Sequence, residues 1–259
     1  RLIYRFAAGD PGRMRTIAAE LVQLRPDLLV GHSTPVVAEL LNATHGIPIV
    51  FVVVADPVGS GFAASIPRPG GNATGFTNLD ATISGKLLTI LRQIAPDLKR
   101  VSLLYNPDTV TSAGLQRFYV RPFEAAASSF AIEAVAAEVR TPSEIERHFS
   151  ALGRGSGTGL IVLPDNFTTI HRQLIIGLAS QHHIPAIYPY RYFVDAGGLL
   201  SYGVDVTALF ARAAAYVSRI LRGANPGALP IQAPTKFELA INLKTAKILG
   251  LRVPRILRV

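Results

Sequence analysis

The sequence contains no cysteine. Disulfides, thiolate metal sites and cysteine nucleophiles are therefore excluded, although this absence says little about compartment. No apolar run reaches the roughly 18–20 residues that span a bilayer. The longest, Ile47–Ala55, is interrupted by Pro48, stops at Asp56 and reads as a core strand. Charge is sparse, at 17% of residues, while 49% are hydrophobic, a balance that argues against disorder. The charge present is lopsided, with 26 Lys and Arg against 17 Asp and Glu, a net +9. Such an excess can serve nucleic acid or an anionic surface. The basic residues are scattered singly, most densely in the tail at Lys236, Lys244, Lys247, Arg252, Arg255 and Arg258. They form no adjacent run and interleave with no aromatics to stack bases, so no nucleic-acid partner is expected. Arg1 is not an initiator methionine, no signal peptide is present, and Arg1–Phe6 reads like the middle of a strand. The expectation is a mature form or a fragment whose beginning is missing.

Five short apolar runs each end in a polar, turn-forming tip: Leu28–Pro35, Val50–Gly61, Val101–Asp108, Leu160–Asn166 and Ala186–Arg191. Continuous rather than alternating apolar runs mark strands buried on both faces, as in parallel sheets. Between them lie helical spacings such as Ile83, Leu87, Ile90, Leu91 and Ile94, and the long stretch from about Val206 to Arg222. Strand–helix alternation throughout predicts an α/β fold with parallel sheets. The unit repeats more often than one sheet usually needs. The break after Thr77 and the proline-rich stretch Asn225–Pro234 are expected crossings between two lobes joined by a hinge. We expect residues 1–79 and 198–233 in the first lobe, 80–197 and 234–259 in the second. In such sheets ligands bind beyond the carboxyl ends of the strands.

No phosphate loop survives inspection. The glycine-rich Gly153–Gly159 precedes a strand instead of following one, so no helix N-terminus would face an anion. No G-x-S-x-G elbow is present, and the six histidines lack zinc-ligand spacing; no metal and no cofactor are expected. His32, beside Ser33 and Thr34, reads equally as a ligand contact or a solvent-facing loop residue. Asp56, Asp165 and Asp205 fall at strand ends, where they could act as acids or bases, cap the next turn or helix, or pair with a ligand ammonium. Thr34-Pro35 and the Asp165–Thr169 segment place hydroxyls and amides before helices, fitting either a ligand carboxylate or N-capping. Tyr188, Tyr190, Tyr192 and Tyr202 are expected to cluster around one strand end, and tyrosine's apolar face and polar tip suit a small ligand. No histidine, serine and carboxylate set has catalytic spacing, so no enzyme is expected.

At these residues a resemblance appears. Asp56-Pro57-Val58-Gly59 followed by Pro69-Gly70-Gly71-Asn72-Ala73-Thr74-Gly75 resembles a signature of bacterial ABC-transporter substrate-binding proteins. Tyr105-Asn106-Pro107, Leu163-Pro164-Asp165-Asn166, Ile184–Pro189, Gly197–Gly203 and Pro234–Lys247 look like its later motifs. The resemblance covers essentially the whole chain, and relatives include binders of tryptophan and other aromatic amino acids. It implies the type I periplasmic binding protein fold: two Rossmann-like lobes, three crossings and a ligand between them. It implies no catalysis, but capture of a small carboxylate by hinge closure and presentation to a membrane permease, by a monomer in the periplasm or lipid-anchored outside the inner membrane. Carried over residue by residue, the site would use Ser33, Thr34, Asp56, Pro57, Asn106, Asp165, Asn166, Tyr188, Tyr190, Tyr202 and Asp205. Relatives usually have a strand and helix upstream of the segment matching Arg1–Asp10, so a further tip of the first lobe is expected to be missing. The same fold also occurs in sensory and regulatory proteins, which is the alternative reading.

Overall fold

The structure is a computed structural model that describes every residue except Leu79, Ala81, Val110, Thr111, Arg154–Ser156, Arg258 and Val259. The glycine-rich segment before the strand at 158 therefore lies partly outside the described residues. In chain order the elements begin α1 (Pro11–Gln23), β1 (Leu29–His32), α2 (Thr34–Ala43), β2 (Ile49–Val54) and β3 (Ala73–Thr77). They continue with α3 (Ile83–Ile94), β4 (Arg100–Tyr105), α4 (Ser112–Leu115), α5 (Arg121–Ser129) and β5 (Glu133–Glu138). Next come α6 (Pro142–Leu152), β6 (Thr158–Val162), α7 (Asn166–Ile170), α8 (Arg172–Gln181), β7 (Ala186–Tyr188) and α9 (Arg191–Asp195). Last are β8 (Leu200–Val204), α10 (Val206–Leu221), β9 (Phe237–Ile241) and α11 (Leu243–Ile248).

These strands build two sheets. One has the order β1-β2-β3, the other β5-β4-β6-β7-β8-β9. All neighbours run parallel except β9, which is antiparallel to β8. The chain accordingly divides into two units: Arg1–Leu79, Thr109–Thr111 and Val206–Lys236 in one, Asp80–Asp108, Ser112–Asp205 and Phe237–Val259 in the other. The expected division put 198–233 with the first lobe. The structure instead puts β8 in the larger sheet, where Ile187 and Tyr188 pair with Leu200 and Ser201, and the chain passes to the first unit after Asp205. The proline-rich stretch accounts for this shift only in part: residues up to Lys236 stay with the first unit because Gln232 bridges Phe76 at the edge of β3.

Local chemistry explains the elements. Asp10 caps α1, accepting from the Arg13 amide at 2.7 Å, and Pro11 occupies the first helical position, where its missing N–H costs nothing. Thr141 and Glu144 form a reciprocal capping box at the start of α6. In β2 every residue of Ile-Val-Phe-Val-Val-Val is buried, as a central parallel strand requires. In the first unit Phe51, Ile49 and Val54 pack on Val37, Leu40 and Ala18. In the second, Leu87, Leu91, Phe123, Phe149, Ile161 and Ile175 are essentially inaccessible. Fully burying each such side chain stabilises the fold by about 1.5–3 kcal/mol. Gly75 in β3 is set by close approach: a Cβ there would lie 2.0 Å from the Phe51 carbonyl oxygen.

The expected strand at Leu2–Phe6 is not formed. Leu2, Tyr4 and Phe6 are 81%, 70% and 77% exposed, and no ladder includes them among the described residues. Apolar residues alone do not make a strand; its amides need a neighbouring edge to bond.

Candidate functional site

In the first unit the tips of β1 and β2 lie side by side. The Ser33 amide donates to the Val52 carbonyl at 3.0 Å. Ser33 itself is buried with φ of +79°. Val53 is bulged out of the β2–β3 register and adopts φ of +61°, a conformation rare for a β-branched residue that stores strain of order 1–3 kcal/mol. Beyond the bulge, the Ala55 amide donates to Thr34 Oγ1 at 3.3 Å, while the Thr77 hydroxyl donates to the Ala55 carbonyl at 3.2 Å. Two threonines thus hold the two peptide groups flanking Ala55. Asp56 follows and folds its own turn: Oδ1 accepts the Gly59 amide at 2.8 Å, and its carbonyl accepts the Ser60 amide. The carbonyl of buried Pro57 accepts the amides of Phe62 and Ala63. His32 stacks on Phe210 of α10 at 5.8 Å.

In the second unit β4, β6, β7 and β8 are neighbours and parallel, so their carboxyl ends share one edge. Asp165, after β6, is the hub. It is buried, and both carboxylate oxygens accept backbone amides: Oδ1 from Thr168 at 2.6 Å, Oδ2 from Asn106 at 3.0 Å. It caps α7 and ties the tip of β4 to that of β6. Desolvation pushes its carboxyl up to about 6, against the opposing pull of these amide donors. Asn106 Oδ1 in turn accepts the Asp108 amide at 2.8 Å. Asn166 opens α7.

An aromatic ladder stands beside this hub. Tyr188 stacks on Phe193 at 5.1 Å, Phe193 on Tyr192 at 5.3 Å, and Tyr192 on Tyr190 at 5.2 Å. The Tyr192 hydroxyl reaches Thr169 Oγ1 at 3.3 Å. Tyr188 is 1% exposed, burial raises its phenol pKa, and no hydrogen bond to its hydroxyl is formed among the described residues. Tyr202 stands apart from the ladder, stacked on Phe237 at 5.8 Å, over which Lys86 Nζ sits at 5.6 Å. Asp205 immediately precedes α10.

The structure therefore joins Asn106 and Asp165 directly, aligns Tyr188 with Tyr190, and sets Ser33, Thr34, Asp56 and Pro57 together in the other unit. Sequence reasoning missed Phe193, Phe237, Lys86 and Thr77. The first lies on the short helix α9, whose spacing Tyr190-Arg191-Tyr192-Phe193 was the available signal. Among the described residues no group of three or more His, Asp or Glu is placed to hold a metal. No helix among them is long and apolar enough to cross a membrane.

Parallel α/β units whose polar and aromatic side chains gather beyond the strand ends define a small-molecule-binding protein. The chain belongs to the family of ABC transporter substrate binding proteins, whose model matches residues 1–259, as the loop motifs indicated. A tyrosine-binding protein of Clostridioides difficile strain R20291 is 28% identical over 252 residues, 97% of this chain and 71% of that protein. A conserved domain protein of Vibrio cholerae O1 biovar eltor is 29% identical with a TM-score of 0.89, covering 100% of this chain and 85% of that one. The ABC domain of Streptococcus pneumonia in complex with L-Trp is 24% identical with a TM-score of 0.85, covering 96% and 84%. The fold is that of the type I periplasmic binding proteins.

Proposed function

We propose that this chain is the solute-binding component of a bacterial ABC importer and that it captures a small carboxylate, an amino acid or aromatic acid, without chemical turnover. The observation that carries this reading is the second unit's tip: a largely buried aromatic ladder ending in the Tyr188 hydroxyl, which has no hydrogen-bond partner among the described residues, beside a hub of backbone amides held by Asp165. A flat apolar shelf with one polar terminus fits an aromatic or aliphatic body carrying a hydrogen-bonding group. Ser33, Thr34 and the start of α2 would receive the carboxylate, and Asp165 or Asp205 an amine. Tips of both units would contribute, and hinge closure would enclose the ligand. The relatives named for tyrosine and L-Trp support this chemistry. The partner would be an inner-membrane permease, and the setting periplasmic or lipid-anchored outside that membrane, with the protein acting as a monomer. Calorimetric titration with a panel of amino acids and aromatic acids tests the reading. Saturable binding of an aromatic member is expected; heats indistinguishable from dilution across the whole panel refute it.

A further inference from the structure

The +9 charge of this chain finds no use at the strand tips, and its densest part lies elsewhere. After Glu238 the sequence contains no acidic residue, yet it carries Lys244, Lys247, Arg252, Arg255 and Arg258. The first two lie on α11, which turns Ala246 inward and anchors Thr245 Oγ1 to the Gly197 carbonyl at 2.9 Å. That leaves Leu243, Lys244, Lys247 and Ile248 on the outer face, all exposed. Leu243 and Lys247 are four residues apart, as are Lys244 and Ile248, so each strip of the face pairs an aliphatic with a cation. The chain then folds back, with the Leu251 amide donating to the Ala246 carbonyl at 2.9 Å and Val253 buried. Arg252, Arg255 and Ile256 are again exposed. Leu243, Ile248 and Ile256 are 61%, 67% and 75% exposed, and none of the four described cations has an acidic partner among the described residues.

Single exposed aliphatics are ordinary. Three within one short stretch, interleaved with unpaired cations and uninterrupted by any acid, are a different pattern. Cations beside aliphatics that can dip into an acyl boundary suit an anionic membrane surface. Nucleic acid would call for stacking aromatics, and the stretch from Leu243 to Ile256 has none.

We infer that the α11 face and the turn after it, Leu243–Ile256, are a docking surface for an anionic phospholipid bilayer. The inference is independent of which solute the protein binds, and solute is left out of its test. Co-sedimentation of the whole chain with phosphatidylcholine vesicles, with and without phosphatidylglycerol, reads it directly. Partition is expected only where phosphatidylglycerol is present, and to weaken as salt is raised. Each cation near such a surface contributes about fivefold in partition, so K244Q/K247Q is expected to lose about thirtyfold. L243S/I248S, which keeps every charge, is expected to weaken partition as well. R25Q/R68Q removes the same charge from exposed sites in the other unit and is expected to bind like wild type. If R25Q/R68Q loses as much as K244Q/K247Q, attraction is a matter of net charge and the surface is refuted. If L243S/I248S binds undiminished, the aliphatic half of the surface is refuted. If neither vesicle is bound, the bilayer proposal falls and the face is left to a protein partner.

Discussion

Replacing Asp165 by Asn tests the hub of the second unit in one measurement. The wild-type carboxyl is buried and pushed up to about 6 by desolvation, against about 3.9 for an unfolded chain. Because the folded value is the higher one, the native state holds a proton that the unfolded state has lost between these limits. Stability therefore falls as pH rises through the window from about 4 to about 6. For these two values the part of that loss lying between pH 5 and pH 7.5 is on the order of 1 kcal/mol. Asn cannot titrate, so it abolishes this slope. It also offers only one acceptor where two amides, from Thr168 and Asn106, now donate; turning an amide NH2 toward one of them costs about 1–3 kcal/mol. At pH 5, where the wild-type group is mostly protonated, D165N is expected to be less stable by about that amount. At pH 7.5 the deficit is expected to shrink by on the order of 1 kcal/mol. Urea unfolding followed by tyrosine fluorescence at both pH values gives the numbers. If wild type and D165N change in parallel between pH 5 and 7.5, the carboxyl does not titrate in this window, and the account of its desolvation is wrong.

Tyr188→Phe removes a hydroxyl that has no partner among the described residues. Its stability is expected within about 0.5 kcal/mol of wild type, with affinity for an aromatic amino acid reduced at least severalfold by titration; a large loss of stability would show a hidden structural bond. Gly75→Ala drives a methyl to within 2.0 Å of the Phe51 carbonyl, so expression should yield unfolded or aggregated protein by circular dichroism, and a native-like melt would contradict the strand packing. Thr141→Ala deletes one half of the α6 capping box and is expected to cost about 1 kcal/mol in urea denaturation. Phe149→Ala, at a side chain with 0% exposure, is expected to cost about 3–5 kcal/mol in the same assay.

Most of the fold was legible because burial on both strand faces writes itself as unbroken apolar runs. Ile49–Val54 and Leu160–Val162 announce their places in this way. Leu2–Phe6, apolar but for Arg5, also reads as a strand and forms none, since residue type reports a side chain's preference but not whether a neighbouring edge exists. The place of β8 was illegible for a related reason. Leu200–Val204 is apolar enough for either sheet, and pairing with β7 and β9 decides it. At the site, the polar tips were visible from residue type and position. The aromatic ladder was visible only in part, because Phe193 joins it through a helix turn that tertiary packing stabilises and local propensity does not signal.

The tips also show why residue type alone cannot separate binding from capping. Asp56 holds Gly59, Thr34 holds Ala55, and Asp165 holds both Asn106 and Thr168. Asp56 and Asp165 perform the capping job that the sequence allowed as one reading, whereas Thr34 does not cap α2 and instead ties its start to the end of β2. That job does not displace recognition; it fixes where recognition can occur. A carboxylate that already accepts two backbone amides has both oxygens engaged and part of its burial offset, so a ligand amine gains less there than at an uncommitted carboxylate. The tip's polar energy for a ligand must come from groups the fold leaves unanswered, and in the second unit Tyr188 is such a group. Its ring is committed to Phe193 while its hydroxyl is not. A ligand that bonds this hydroxyl gains a hydrogen bond that the fold does not already use, whereas one lacking the matching group does not. Selectivity on this unit should therefore follow the ligand atom facing Tyr188 more closely than the charge facing Asp165.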